Sequence, residues 1–354
     1  MKPILTAAAL LLALCLCLPA ALASGGDAAD PLISRSYLEG TFSESLNETI
    51  RARADAADKA LRDAVGQGSG GASSAAGVTL KEDDVLSASA GTVFVPLRGE
   101  VHASGGTLVD VTEGREAAPG PLERGHRYIL AEDASLTIAS PAAVVSWEGP
   151  AVLTASAQPD CFAIASALRS LGLFRGTGSG VGEGFDLDQP PTRGEGLVMF
   201  LRILGEEQAA LESGYTHPFA DVPGWLSPYV AWAYEKGYSN GISDARFAPD
   251  QPLPAQQYVE LLLRALGYSS AGTEDFRTSL ERALADGVLT ERECQVLRQE
   301  PFLRAHVAYL SYYSLDAALS GTRQTLAQRL AAAGVVSGEQ LAAARAMVET
   351  LRLG

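Results

Sequence analysis

The sequence predicts a multidomain α+β protein, with an N-terminal helix, a small all-β roll or sandwich, and an all-α C-terminal half. Three observations predict it. Apolar residues recur at helical spacing between residues 36 and 67, runs of period two fill residues 78–156, and a helix-loop-helix unit repeats from about residue 160 onward. The 354 residues suffice for about two domains with extras. With 47% hydrophobic and 19% charged residues, a packed core is expected. A net charge of −15 argues against non-specific nucleic-acid binding and against a polybasic membrane anchor.

In chain order, Met1-Lys2 is a short cationic start and Ile4–Leu18 an apolar run, closed by Pro19 and the small-x-small Ala21-Leu22-Ala23. This reads as an export signal over residues 1–23. The run falls short of the roughly 20 residues a spanning helix needs. No second segment of spanning length follows, so the cleaved chain is expected to be soluble or wall-bound, with a charge of −16. Cys15 and Cys17 do not make a lipoprotein signal, because Leu14 and Leu16 stand where a small residue belongs. Residues 24–77 hold a helical segment and a linker. Phe42, Leu46, Ile50, Ala57, Leu61 and Val65 form a narrow stripe that needs a partner, either its own domain or a second copy through a coiled-coil seam. Its central alanines favour the first. Asn47-Glu48-Thr49 matches a glycosylation acceptor but lies mid-helix, and Gly68–Gly77 is a flexible linker by composition.

The β region covers residues 78–156. Val93–Val95, Leu108–Val111, Tyr128–Leu130, Leu136–Ile138 and Val144–Trp147 are short strand-forming runs separated by turn residues. Its two histidines, His102 and His126, lack a neighbouring nucleophile–base set, so a structural or binding module is expected. A wall-anchored enzyme with its active site in this region is the alternative. HExxH, GxSxG and CxxC are absent, and Gly176–Gly184 lacks the lysine of a phosphate loop. Asp186-Leu187-Asp188 lacks the further oxygen donors of a calcium loop. No catalytic residue, cofactor or metal ligand is therefore assigned. Cys161 and Cys294 read as isolated buried thiols, with pairing the alternative.

The helical half, residues 157–354, carries the information. Phe185–Gly205 aligned with Phe247–Gly267 gives eight identities in 21 positions, against roughly one or two expected from composition. A weaker third unit follows, with Ala283–Gly287 echoing Ala233–Gly237 and Phe302–His306 standing for Pro191–Glu195. In the first unit Thr192 and Glu195 form a capping box, which accounts for both. Arg193 between them has no use in the cap. A helix N-terminus favours anions, and an arginine there adds two-pronged bonding to a carboxylate.

The stretch from Phe219-Ala-Asp221-Val-Pro-Gly-Trp225 through Gly237-Tyr-Ser-Asn-Gly241 to Phe247-Ala-Pro-Asp250 resembles an S-layer homology (SLH) motif, and Thr192-Arg193-Gly194-Glu195 is similar to that family's TRAE element. The resemblance covers about residues 160–315, with units near 160–212, 213–270 and 271–320 and a helical tail. It implies a pseudo-threefold three-repeat bundle that holds exported proteins non-covalently on the bacterial cell wall. The implied partner is secondary cell-wall polysaccharide, often carrying pyruvyl ketals, bound in grooves between repeats where the TRAE arginine contributes. Carried onto this chain, the polysaccharide-binding residues are Arg193 and Arg304. The second unit has Pro254-Ala255-Gln256-Gln257, without arginine or cap hydroxyl, and the third has Leu303 and His306 in place of the capping pair. Fewer than three working grooves are therefore expected. Trp225 and Asp221 offer an aromatic face and a hydrogen-bonding carboxylate for a sugar. A packing role for Trp225 and a cap for a helix beginning near Leu226 by Asp221 are the structural alternatives. Gly241 and Phe247 are expected to be structural, Arg202 and Arg264 to be solvated, and His306 to cap or lie at the surface. An acidic protein gripping an acidic polymer relies on local arginines, long-range repulsion being screened within about 8 Å at physiological salt.

Overall fold

The computed structural model describes residues 74–176, 184–269, 275–299 and 301–354. The export signal, the 36–67 helix with its self-association seam, the Asn47 acceptor and most of the Gly176–Gly184 run lie outside these residues. The described residues belong to one compact unit.

Among the described residues, eleven strands build the β region. They are β1 (Ser74–Lys81), β2 (Val85–Ala88), β3 (Val93–Arg98), β4 (Val101–Ser104), β5 (Leu108–Asp110), β6 (Arg115–Ala117), β7 (Gly120–Pro121), β8 (Tyr128–Leu130), β9 (Ala134–Ile138), β10 (Ala142–Glu148) and β11 (Ala151–Thr154). Two antiparallel sheets result, ordered β1-β10-β3-β8-β5-β6 and β11-β2-β9-β4-β7. Four of the five predicted runs fall within strands, and the fifth, Leu108–Val111, outruns β5 by one residue. Alternation drives the pairing: Leu86 and Ala88 in β2, Ala134, Leu136 and Ile138 in β9, and Tyr128 and Leu130 in β8 turn inward, while Ile129 stays exposed. The expected linker ends earlier than its composition suggests, because Ser74–Gly77 already belongs to β1. Ser74 pairs with Trp147, and a register shift before Val78 is absorbed where Gly77 takes a φ of +77°.

Strand β10 breaks the alternation. Ala142, Ala143, Val144, Val145 and Trp147 are all buried, because one face of this strand meets the sandwich core and the other meets the helices. Ala142 belongs to the helical core, and a small cleft there brings Ala142 and Val144 beside Phe162 and Phe185.

The helices are α1 (Cys161–Ser170), α2 (Arg193–Ile203), α3 (Glu207–Glu212), α4 (Ser227–Glu235), α5 (Ala255–Ala265), α6 (Ser279–Ala285) after a 3₁₀ turn at Phe276–Thr278, α7 (Glu291–Leu297), α8 (Arg304–Ser314), α9 (Leu326–Ala332) and α10 (Gly338–Ala346). Helices α1, α4 and α6 end alike. Gly172, Gly237 and Gly287 take φ values of +73°, +70° and +69°. The next residue then donates to a carbonyl five residues back: Leu173 to Leu168 at 2.9 Å, Tyr238 to Ala233 at 2.8 Å and Val288 to Ala283 at 2.8 Å.

Two polar clasps tie the parts together. Asp186, held at a φ of +52°, pairs with Arg98 of β3. Asp188 takes Arg124 at 3.1 Å and the Gly99 N–H at 3.3 Å. The acidic pair considered as half of a calcium loop thus joins sandwich to helices. At the far end Arg352 donates to both oxygens of buried Glu293, at 2.7 and 2.8 Å. Cys161 and Cys294 are both buried and unpaired.

Candidate functional site

Helix α2 begins as its sequence directs. The Thr192 N–H donates to Glu195 Oε2 at 2.9 Å, and the Glu195 N–H returns to Thr192 Oγ1 at 3.3 Å. The helix start then docks on the second unit. The Arg193 N–H donates to Gln251 O and the Gly194 N–H to Pro249 O, both at 2.9 Å. Glycine leaves room for two leucine side chains at this approach. A Cβ on Gly194 would stand 2.8 Å from Leu226 Cδ2, and one on Gly196 would stand 2.2 Å from Leu253 Cδ2.

Docking places the Arg193 guanidinium over the Phe247 ring, 5.1 Å from its centre. Nε and Nη2 donate to the Phe247 carbonyl at 3.2 and 3.1 Å, and Nη1 donates to Gln257 Oε1. These acceptors are neutral, so the cation is held in place without being cancelled. Burial lowers the Arg193 pKa from its ordinary value, and the charge of Asp221 opposes that shift. Arg193 lines a groove of about 410 Å³, together with Gln257, Glu260 and Arg264 of α5 and the 238–242 turn. That volume lies within the range of sites for drug-sized ligands.

Asp221 works from behind the groove. Its Oδ1 accepts the Phe247 N–H at 2.8 Å and its Oδ2 the Ala248 N–H at 2.9 Å. It therefore fixes the loop that presents the Phe247 carbonyl. The Phe247 N–H holds the carboxyl below its ordinary value against the opposing effect of burial, and the Ala248 N–H adds to this. The expected alternative for Asp221, a helix cap, is corrected: α4 starts with Leu226 as its N-cap and no side-chain bond. Phe247 is 2% exposed and packs on Phe219. Gly241 has a φ of +73°, and a Cβ there would lie 2.5 Å from the Phe219 ring. Both serve the loop as expected.

The structure separates the remaining predicted residues from this groove. Trp225 is 61% exposed, which corrects the packing alternative, and it is not part of the groove wall. Arg304 repeats the Arg193 frame at the start of α8. Its N–H donates to Gln189 O at 2.9 Å, the Ala305 N–H to Leu187 O at 3.0 Å, and Arg304 Nε to Phe185 O at 2.9 Å. Yet Arg304 is 6% exposed, with its guanidinium carbon 5.7 Å from the Phe174 ring centre. Burial lowers its pKa as well, with the charge of Glu195 opposing. Arg304 is a buried structural cation and does not line the groove.

His306 caps this helix through Nδ1, which accepts the Leu303 N–H at 3.0 Å. Its ring stacks on Phe302, and burial pulls its pKa down to about 4, so the imidazole stays neutral. Sequence reasoning missed Arg264. Rather than being solvated, it donates through Nε to Glu260 Oε1 and through Nη1 to Tyr238 O, both at 2.8 Å. Arg202 is likewise engaged, with Glu207 at 2.9 Å. Glu260, 3% exposed within the apolar run Val259–Leu263, was the signal that an arginine four residues on would be held.

Comparison with known proteins matches residues 218–253 to the S-layer homology domain. The chain is 34% identical over 94 residues to a "Cell surface protein" of Thermoanaerobacter kivui, covering 25% of this chain and 12% of that protein. It is 28% identical over 142 residues to a "Middle cell wall protein" of Brevibacillus brevis, covering 40% and 13%. A "Surface layer protein" of Brevibacillus choshinensis is 31% identical over 103 residues, covering 28% and 9%. The match thus spans about an eighth or less of each relative. Together these findings give a secreted protein of the cell wall or cell surface that carries an SLH domain. Among the described residues no helix is long and apolar enough to cross a membrane.

Proposed function

We propose that this protein is held on the bacterial wall by the Arg193 groove, which binds an acidic secondary cell-wall polysaccharide, with pyruvyl ketals as one source of the charge. The observation that carries the reading is a half-buried guanidinium fixed by neutral oxygens at the wall of an open groove. Its positive charge is left for a ligand carboxylate, and its donors are pre-oriented, so little side-chain entropy is lost on binding. The groove belongs to a three-repeat module in this reading. Support comes from the matched bonds of Arg193 and Arg304, whose acceptors lie 62 residues apart.

The protein acts by attachment and not by catalysis, while the sandwich serves structure or interaction at the surface. One groove does the binding, and Arg304 holds the fold. The test is sedimentation of the mature chain with purified wall sacculi. Arg193→Gln should abolish co-sedimentation while leaving the melting temperature near that of the wild type. Undiminished sedimentation of Arg193→Gln would defeat the assignment.

A further inference from the structure

The sandwich turns two unlike faces away from its core. On the five-stranded sheet that face is hydroxylated: Ser87 stands opposite Ser135, Ser135 opposite Ser104, and Thr137 shares their side of β9. A solvated face of an antiparallel sheet is expected to be polar in this way. On the six-stranded sheet the outward positions are apolar. Val93 stands opposite Ile129 and Ile129 opposite Val109, so a row of β-branched side chains crosses β3, β8 and β5. Leu97 and Val111 flank the row. Val109, Ile129 and Leu97 are each 37% exposed and Val111 46%. One margin of this face is already an interface, since Val144 of β10 lies beside Phe162 and Phe185. Leu97 joins that margin to the open row: a Cβ on Gly77 would stand 3.1 Å from both Leu97 Cδ1 and Val144 Cγ1.

Charge around the row fits a second copy of the chain. Glu148 stands opposite Val93 and Glu116 opposite Val109, so carboxylates close both ends, each two strands or about 10 Å from Ile129. Arg127, two residues before Ile129 on the same side, is exposed, and no acid pairs with it among the described residues. It lies about 7 Å from Ile129 along the strand. Two such faces, centred on Ile129 and crossed at near right angles about a two-fold axis, bring each Arg127 within side-chain reach of a carboxylate of the other copy. We propose that the outward face of the six-stranded sheet is a homodimer interface of this crossed form. A face of roughly 20 by 15 Å is small beside a standard interface, so the dimer is weak and forms at high local concentration, as on a crowded cell surface.

The test is sedimentation equilibrium of the mature chain from micromolar to millimolar concentration. The wild type should move from monomer toward dimer mass across that range. Ile129→Glu should weaken the association at least tenfold, with a melting temperature near that of the wild type because the position is exposed. Arg127→Glu should weaken it severalfold. Adding Glu116→Arg and Glu148→Arg should restore it, a recovery that misfolding does not mimic. A wild type that stays monomeric throughout would overturn the interface. So would a dimer undiminished by Ile129→Glu, which would place the association on another surface. Association that ignores Arg127→Glu, or that the charge reversal fails to restore, would overturn the crossed arrangement.

Discussion

Arg193 and Arg304 sit on one hydrogen-bond frame and meet different fates. Each opens a helix, donates its N–H to a loop carbonyl at 2.9 Å, and sends its guanidinium to the carbonyl of an equivalent phenylalanine, Phe247 or Phe185. Around the 247–251 loop the frame opens into a groove. Around the 185–189 loop the acidic pair Asp186 and Asp188 turns to the sandwich and grips Arg98 and Arg124, while Arg304 is buried beside Phe174. The backbone pairing is the same at both helix starts. What surrounds it decides whether the same arginine faces a ligand or the interior.

The largest expected effect breaks the buried member. Arg304→Ala removes a charged donor and its packing, and should cost about 3–4 kcal/mol of stability in urea unfolding. Arg193→Ala should cost less, about 1–2 kcal/mol, its side chain being less deeply buried than that of Arg304. Equal costs would show that the two environments do not differ as described. Next comes the clasp. Asp188→Ala takes the carboxylate from Arg124 and from the Gly99 N–H, while Arg98 keeps Asp186, and should cost about 1–2 kcal/mol. Calorimetry should then resolve separate sandwich and helical transitions, whereas a single unshifted peak would show that the clasp carries no load.

Asp221→Ala should cost about 1–2 kcal/mol by freeing two N–H groups. It should also weaken sacculus binding without touching the groove wall. Because backbone donors hold Asp221 below its ordinary 3.8, its contribution is present at neutral pH. That contribution fades only as acid takes the pH below about 4. The smallest effect lies in the sandwich, where His126 Nδ1 meets Asp110 Oδ2 at 2.8 Å. The Asp110 hydrogen bond lifts His126 above 6.5 against the effect of burial. The stabilisation is therefore full below about pH 6.5 and is lost as pH rises through the folded value. His126→Gln should flatten the melting temperature between pH 5.5 and 8.5, and an unchanged slope would assign the dependence elsewhere.

Much of this was legible where causes are local. The Thr192–Glu195 box is complete within four residues, and the five strand runs declared themselves by alternation. Strand β10 announced nothing unusual, since burial on both faces depends on helices that begin at Cys161. The part played by Asp221 was hidden because its partners lie 26 and 27 residues away. The fate of Arg304 was hidden for the same reason, Phe185 lying 119 residues back. Arg264 was readable in principle. A glutamate inside Val259–Leu263 must be matched, and the arginine one turn on was the natural match.

The notch cut by Gly194 and Gly196 bears on how such a chain can be re-engineered. At the equivalent places the second unit has Gln256 and Tyr258, and the third has Ala305 and Val307. Gln256 or Tyr258, transplanted into the first slot, would have to push the Leu226 or Leu253 methyl groups aside. Exchange of these helix starts should therefore call for matching changes at Leu226 and Leu253.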